Sequence, residues 1–187
     1  MGFKPKTVGL IKLPKKVVLL QQTYDKEAGI SGVVVLKNNI FPDDLGGWFK
    51  ENVRLNEDGE IISLKDLGIS LKVRQSNISF IAAGGKRFWH IHPNQTELWS
   101  TSGTLLVGLI DFRKDSPSYG KRQRVVLSSI VSVYIPAGVA HGFLNPNNFS
   151  VTLTYFADKQ FSADQDTQEC RISPDEVPFD FVQPDLM

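Results

Sequence analysis

The sequence predicts an all-β sandwich or barrel, and three observations carry that prediction. Short runs rich in branched aliphatic, Thr and aromatic residues recur along the chain, each is bounded by Gly, Pro, Asn or Ser, and no long stretch keeps an apolar period of 3.6. With 187 residues, 41% of them hydrophobic, the chain can bury one good core, so a single domain is expected.

Residues 1–28 read as an N-terminal arm with a short strand at 17–22. Such an arm pairs with an exposed sheet edge, its own or a partner's, because unpaired edges are a liability. Residues 29–187 form the β domain, with strands expected at 32–36, 70–75, 79–82, 104–112, 124–127, 131–135 and 150–156. Helical turns are expected only within 45–55 and 64–67. From Ser162 onward the chain is acidic and contains prolines, which marks a wrapping segment with little regular structure.

Composition narrows the function classes. The net charge is +1, from 21 basic and 20 acidic residues mixed throughout, which leaves no electrostatic footprint for nucleic acid or a membrane surface. A small polar ligand is the expected partner. Cys170 is the single cysteine, so no internal disulfide forms and a reducing, cytoplasmic location is expected. Lys12, Pro14, Lys15 and Lys16 break the apolar run at 10–20, and nothing approaches a transmembrane span. The sequons at Asn77, Asn94 and Asn148 therefore read as chance matches.

All three histidines fall in two segments. His90 and His92 stand two apart, so on a strand they share a face, with Glu97 shortly after and His141 in the later stretch Pro136-Ala137-Gly138-Val139-Ala140-His141. Three imidazoles and a carboxylate converging on one point suit a divalent metal such as iron, manganese, nickel, zinc or cobalt. Hydrogen-bonded barrel residues, or an acid and base pair, are the alternatives. Trp48, Trp89 and Trp99 are expected in the core, Tyr119 in a turn with a packed ring, and Lys121, Arg122 and Arg124 on a solvated face.

The His-x-His, Glu and Pro-x-Gly-x-x-His pattern resembles the two motifs of the cupin superfamily, a jelly-roll barrel also described as a double-stranded β-helix. By that resemblance His90, His92, Glu97 and His141 are metal ligands. Two departures are visible: five residues rather than six separate Glu97 from Gly103, and no glycine precedes the second motif near Ile130.

Further segments resemble the dTDP-4-dehydrorhamnose 3,5-epimerase family in order. They include Ile30-Ser31-Gly32-Val33, Gln75-Ser76-Asn77-Ile78-Ser79, Arg87-Phe88-Trp89-His90, Asp111-Phe112-Arg113, Ile135 through Phe143 and Ser173-Pro174-Asp175. The resemblance implies a homodimeric, metal-independent isomerase that epimerises a nucleotide-linked 4-keto sugar beside its ketone. It assigns the base to His90, its orienting carboxylate to Asp175, a diphosphate contact to Arg87, nucleotide contacts to Gln75 and Asn77, and a second pocket histidine to His141. The same comparison puts Glu97 at the family's lysine, His92 at its glutamine and Phe161 at its tyrosine acid. The family's arginine phosphate anchor falls near Leu45 or Gly46 and is missing from this chain. Phenylalanine has no proton to give, and Glu97 inverts the charge where an enolate needs a donor. Besides a nucleotide-sugar epimerase or keto-isomerase, two readings stay open: a metal-dependent cupin of another class, such as a dioxygenase or sugar isomerase, and a sugar-binding member without turnover.

Overall fold

The computed structural model describes residues 29–162 and 169–181, so the arm at 1–28 and its expected strand lie outside the described residues. In chain order the elements are β1 (Val34–Lys37), β2 (Ile40–Pro42), β3 (Trp48–Lys50), α1 (Ile62–Lys65), β4 (Gln75–Ile81), β5 (Lys86–Ile91) and β6 (Glu97–Thr101). They continue with β7 (Leu105–Asp111), β8 (Arg122–Leu127), β9 (Val131–Ile135), β10 (Val139–Leu144), β11 (Val151–Ala157) and β12 (Cys170–Arg171). Ten strands form two five-stranded sheets, ordered β1-β9-β6-β11-β4 and β12-β5-β10-β7-β8, and β2 and β3 make a separate hairpin. The strand pairs are antiparallel throughout, as the expected jelly roll requires.

The main core lies between the sheets, where alternate residues such as Leu105, Val107 and Leu109 of β7 meet Val151 and Leu153 of β11. Outside the first sheet, Ile61, Leu64 and Leu71 pack on Leu98, Tyr134 and Phe156. That second layer explains why β6 is buried at every position instead of alternating. Across the second sheet, Phe179 and Phe181 pack against Trp89, whose indole donates to the Val177 carbonyl at 2.8 Å. Arg122 and Arg124 donate to the Pro178 and Asp180 carbonyls at 2.7 and 2.5 Å, so this basic cluster ties down the tail and is not merely solvated.

Several local expectations change. The stretch 45–55 holds β3 and a turn rather than a helix, and α1 occupies 62–65 where a helical turn was expected at 64–67. The two strands expected at 70–75 and 79–82 become one, because the polar residues Gln75, Asn77 and Ser79 alternate inward with exposed Ile78 and Phe80 outward. Trp89 and Trp99 are core residues, whereas Trp48 is 50% exposed and the Tyr119 ring 62% exposed on its turn. Among the described residues no helix is long and apolar enough to cross a membrane.

One irregularity positions the site. Where β10 pairs with β5, His141 faces His90 but Phe143 faces Arg87, so β5 carries one residue more than its partner. This is a bulge. Regular alternation would send Arg87 and His90, three apart, to opposite faces; the extra residue lets both line one cavity while Trp89 is buried on the other side. Gly142 sits beside it with the Arg87 carbonyl so close that a Cβ would lie 2.7 Å from that oxygen, which is why glycine stands there.

Asn145 closes the end of β10. Fully buried, it donates to the Ile81, Ala82 and Phe149 carbonyls at 3.2, 2.9 and 2.9 Å and accepts from the Asn147 amide at 3.0 Å. Asn145→Ala leaves those carbonyls short of a donor, so thermal or urea unfolding should read a loss on the order of 3 kcal/mol.

Candidate active site

A cavity of about 380 Å³ opens between the two sheets. β4 contributes Gln75, Asn77 and Ser79, β6 contributes Glu97 and Trp99, and β11 contributes Leu153, Tyr155 and Ala157, all from the first sheet. Facing them from the second sheet are Arg87 and His90 of β5, His141 of β10 and Arg171 of β12, with His92 just past the end of β5. The three histidines and Glu97 thus share one hollow.

Glu97 forms its buried floor at 3% exposure. One carboxylate oxygen accepts from Gln95 at 2.7 Å, the other from the Trp99 indole at 2.6 Å. Nε2 of His92 lies 3.5 Å from the first oxygen and Nε2 of His141 3.8 Å from the second, with the two imidazole rings stacked 5.3 Å apart. His141 Nδ1 stands 3.1 Å from the Val139 carbonyl. A carbonyl only accepts, so Nδ1 carries the proton and the neutral ring presents a bare Nε2 to the cavity. Burial pushes the His141 pKa down to about 4, against the opposing pull of Glu97, which keeps the ring neutral near pH 7.

Nearer the opening, His90 Nδ1 lies 3.4 Å from Glu169, a carboxylate that also accepts from Arg171 at 2.6 Å. Burial lowers the His90 pKa, and the Arg87 and Arg171 charges act in the same direction, while Glu169 opposes them. A free imidazole base results.

The sequence reading needs three changes here. Asp175, expected to orient His90, lies on an exposed turn where its own backbone N–H donates to Ser173; Glu169 is the carboxylate beside the imidazole. The four expected metal ligands do not form one set. Among the described residues, two groups of three have ligand atoms within 4.8 Å of one another, His90 with His92 and Glu169, and His92 with Glu97 and His141. Phe161, expected at the acid position, is 75% exposed at the rim, where its N–H donates to Gln75 at 2.7 Å. The phenol of the cavity is Tyr155, on the wall opposite His90. Alternation along Val151, Leu153, Tyr155 and Ala157 carried the signal for it, and Glu169 was one of several tail acids with nothing local to single it out. Gln75, Asn77 and Arg87 line the opening, and Leu45 is 94% exposed outside it.

The model of a family described as dTDP-4-dehydrorhamnose 3,5-epimerase matches residues 27–181. The chain belongs to the dTDP-4-dehydrorhamnose 3,5-epimerase family. It is 31% identical over 113 residues to an enzyme of that name from Mycobacterium tuberculosis, a match covering 57% of this chain and 55% of that protein. The spore coat polysaccharide biosynthesis protein SpsL of Bacillus subtilis is 31% identical over 139 residues, covering 73% of this chain and 85% of SpsL. A crystal structure of the family enzyme from Bacillus anthracis, with TDP and PPi bound, superposes with a TM-score of 0.66 at 27% identity, covering 79% of this chain and 82% of that one. The two-sheet barrel is thus the fold of the family, while the chain spans about half the length of the M. tuberculosis relative.

Proposed function

We propose that the protein epimerises a nucleotide-linked 4-keto sugar, as members of its family do. The observation that carries this reading is the placement of His90 and Tyr155 on facing walls of one cavity whose opening holds Arg87 and Arg171. Removing a proton beside a ketone takes a base on one face of the sugar ring, and inversion takes an acid on the other. His90, held through Nδ1 by Glu169, takes the carbon-bound proton on Nε2, and the C–H electron pair moves into the carbonyl to give an enolate. The electrons return to carbon as the Tyr155 hydroxyl gives up its proton from the opposite side, and solvent restores both groups. Arg87 and Arg171 suit a diphosphate, for which planar guanidinium groups are well shaped, and the linked amides of Gln75 and Asn77, 3.0 Å apart, face the nucleotide.

Glu169 acts on the reaction through His90 and is a positioning residue. The base, acid and positioning groups in this reading are side chains, with no metal required. A homodimer belongs to the same reading, and β4, the edge strand of its sheet among the described residues, with Phe80 74% exposed, offers it a strand. A solution mass of one chain by light scattering would count against that assembly.

Tyr155→Phe separates acid from base. It should lower epimerised product about 100-fold or more while solvent deuterium still enters the substrate, since His90 can return a deuteron to the face it deprotonated. Calorimetry with dTDP, UDP and GDP sugars tests the handle: absence of heat with all three sinks the nucleotide-sugar reading.

A further inference from the structure

Acceptors dominate the closed end of the cavity. Glu97 is 3% exposed, and its two oxygens accept from the Gln95 amide at 2.7 Å and the Trp99 indole at 2.6 Å, both neutral donors. Beside it His141 keeps its proton on Nδ1, toward the Val139 carbonyl, and turns a bare Nε2 inward, 3.8 Å from the second Glu97 oxygen. A carboxylate this buried is complementary to a positively charged donor entering the cavity.

Depth decides which part of the ligand reaches these acceptors. In the nucleotide-sugar reading, on which this inference rests, Arg87 and Arg171 take the diphosphate at the opening. The sugar then enters with C1 outermost, and the far side of its ring, C3 to C5, meets Glu97 and His141. C4 is the ketone, and C5 already bears the ring oxygen and C6, which leaves C3 for the donor. We infer that the substrate is a 4-keto sugar with a protonated amino group on C3, and that Glu97 and His141 select it. A hydroxyl donates one hydrogen and serves one acceptor. An ammonium donates three, and a nitrogen at ordinary hydrogen-bond distance reaches both the Glu97 oxygen and the His141 Nε2, which stand 3.8 Å apart. The same group brings positive charge one carbon from the ketone, where an enolate oxygen beside Glu97 would otherwise meet a carboxylate.

The test reads binding and needs no turnover. Full-length protein is titrated by calorimetry with three dTDP sugars and their UDP counterparts: 3-amino-3-deoxyglucose, its N-acetyl form and glucose. The amino sugar should bind at least about 10-fold more tightly than the glucose form, as a charge-assisted hydrogen bond implies, and N-acetylation, which removes the charge, should abolish the preference. Glu97→Gln, checked as folded by circular dichroism, should bind amino and hydroxyl forms within about 3-fold of each other. His90→Ala, which ends proton transfer but leaves the closed end intact, should keep the preference. Equal binding of the amino and hydroxyl forms by the parent, no heat from any probe, or a preference that survives N-acetylation or folded Glu97→Gln overturns the inference. A preference for the amine without deuterium exchange into the 4-keto form of that sugar would count against the epimerase reading alone, and exchange without the preference against the amino-sugar assignment alone.

Discussion

His90→Ala is expected to abolish both epimerisation and entry of solvent deuterium into a 4-keto nucleotide sugar. Loss of a positioned base costs typically about 100-fold to 10,000-fold, and His90 is the imidazole of the cavity that Glu169 holds through Nδ1. Glu169→Gln keeps the shape and removes the charge. Exchange should fall by roughly 10-fold to 100-fold in kcat with little change in KM, since Glu169 orients the ring and stabilises its protonated form without taking the proton. Mass spectrometry of the recovered sugar reads both. Undiminished exchange in His90→Ala would move the base elsewhere and end the assignment of His90.

A large, pH-dependent effect on stability is expected at Asp111, well away from the chemistry. Its carboxylate is fully buried and accepts from Arg113, Ser116 and Ser118 at 2.8, 2.6 and 2.6 Å, while Arg113 and Ser118 also bind the backbone of Ser31. One buried anion thus fastens the start of the described domain to the turn after β7. Burial alone would raise its pKa, but the hydrogen bonds from Arg113, Ser116 and Ser118 prevail and hold the carboxyl well below the usual carboxylate range. The folded form therefore binds its proton more weakly than the unfolded chain. The resulting stability is fully present above the unfolded value near pH 4 and drains away as pH falls toward the depressed folded value. Asp111→Ala strands the Arg113 charge and should cost about 3 kcal/mol at pH 7, or roughly 6–12 °C in Tm for a chain of this size. It should also flatten the acid limb of the stability profile. Equal slopes below pH 4 in parent and variant would refute the role given to Asp111.

How much of this was legible in the sequence depended on whether the deciding interaction was local. His90 and His92 reveal a shared face by spacing alone, and the scarcity of histidine elsewhere in the chain points His141 to the same hollow. Short runs of branched and aromatic residues such as β7, β9 and β11, set off by turn residues, likewise exposed the fold class. Glu169 stayed hidden because an acidic tail offers many equivalent carboxylates, and only the pairing of β12 with β5 selects one. Tyr155 was concealed by hydrophobic company: in Thr-Leu-Thr-Tyr-Phe a phenol reads as a packing residue until the opposite wall is known. The stretch 45–55 misled because its apolar spacing fits a helical turn, whereas β2 supplies a partner that makes β3 a strand.

The extra residue in β5 sets which kinds of sequence change this family member can absorb. Exchanging Phe88 for another apolar side chain preserves the count between the guanidinium and the imidazole, so it perturbs packing alone. Deleting either Phe88 or Trp89 changes an odd interval to an even one; in a strand without its bulge both polar groups would keep a common side, but the Trp89 anchor and the facing of Phe143 would be lost with it. Drift in this segment is thus expected to proceed by replacement, with gains and losses of length confined to the loops around it.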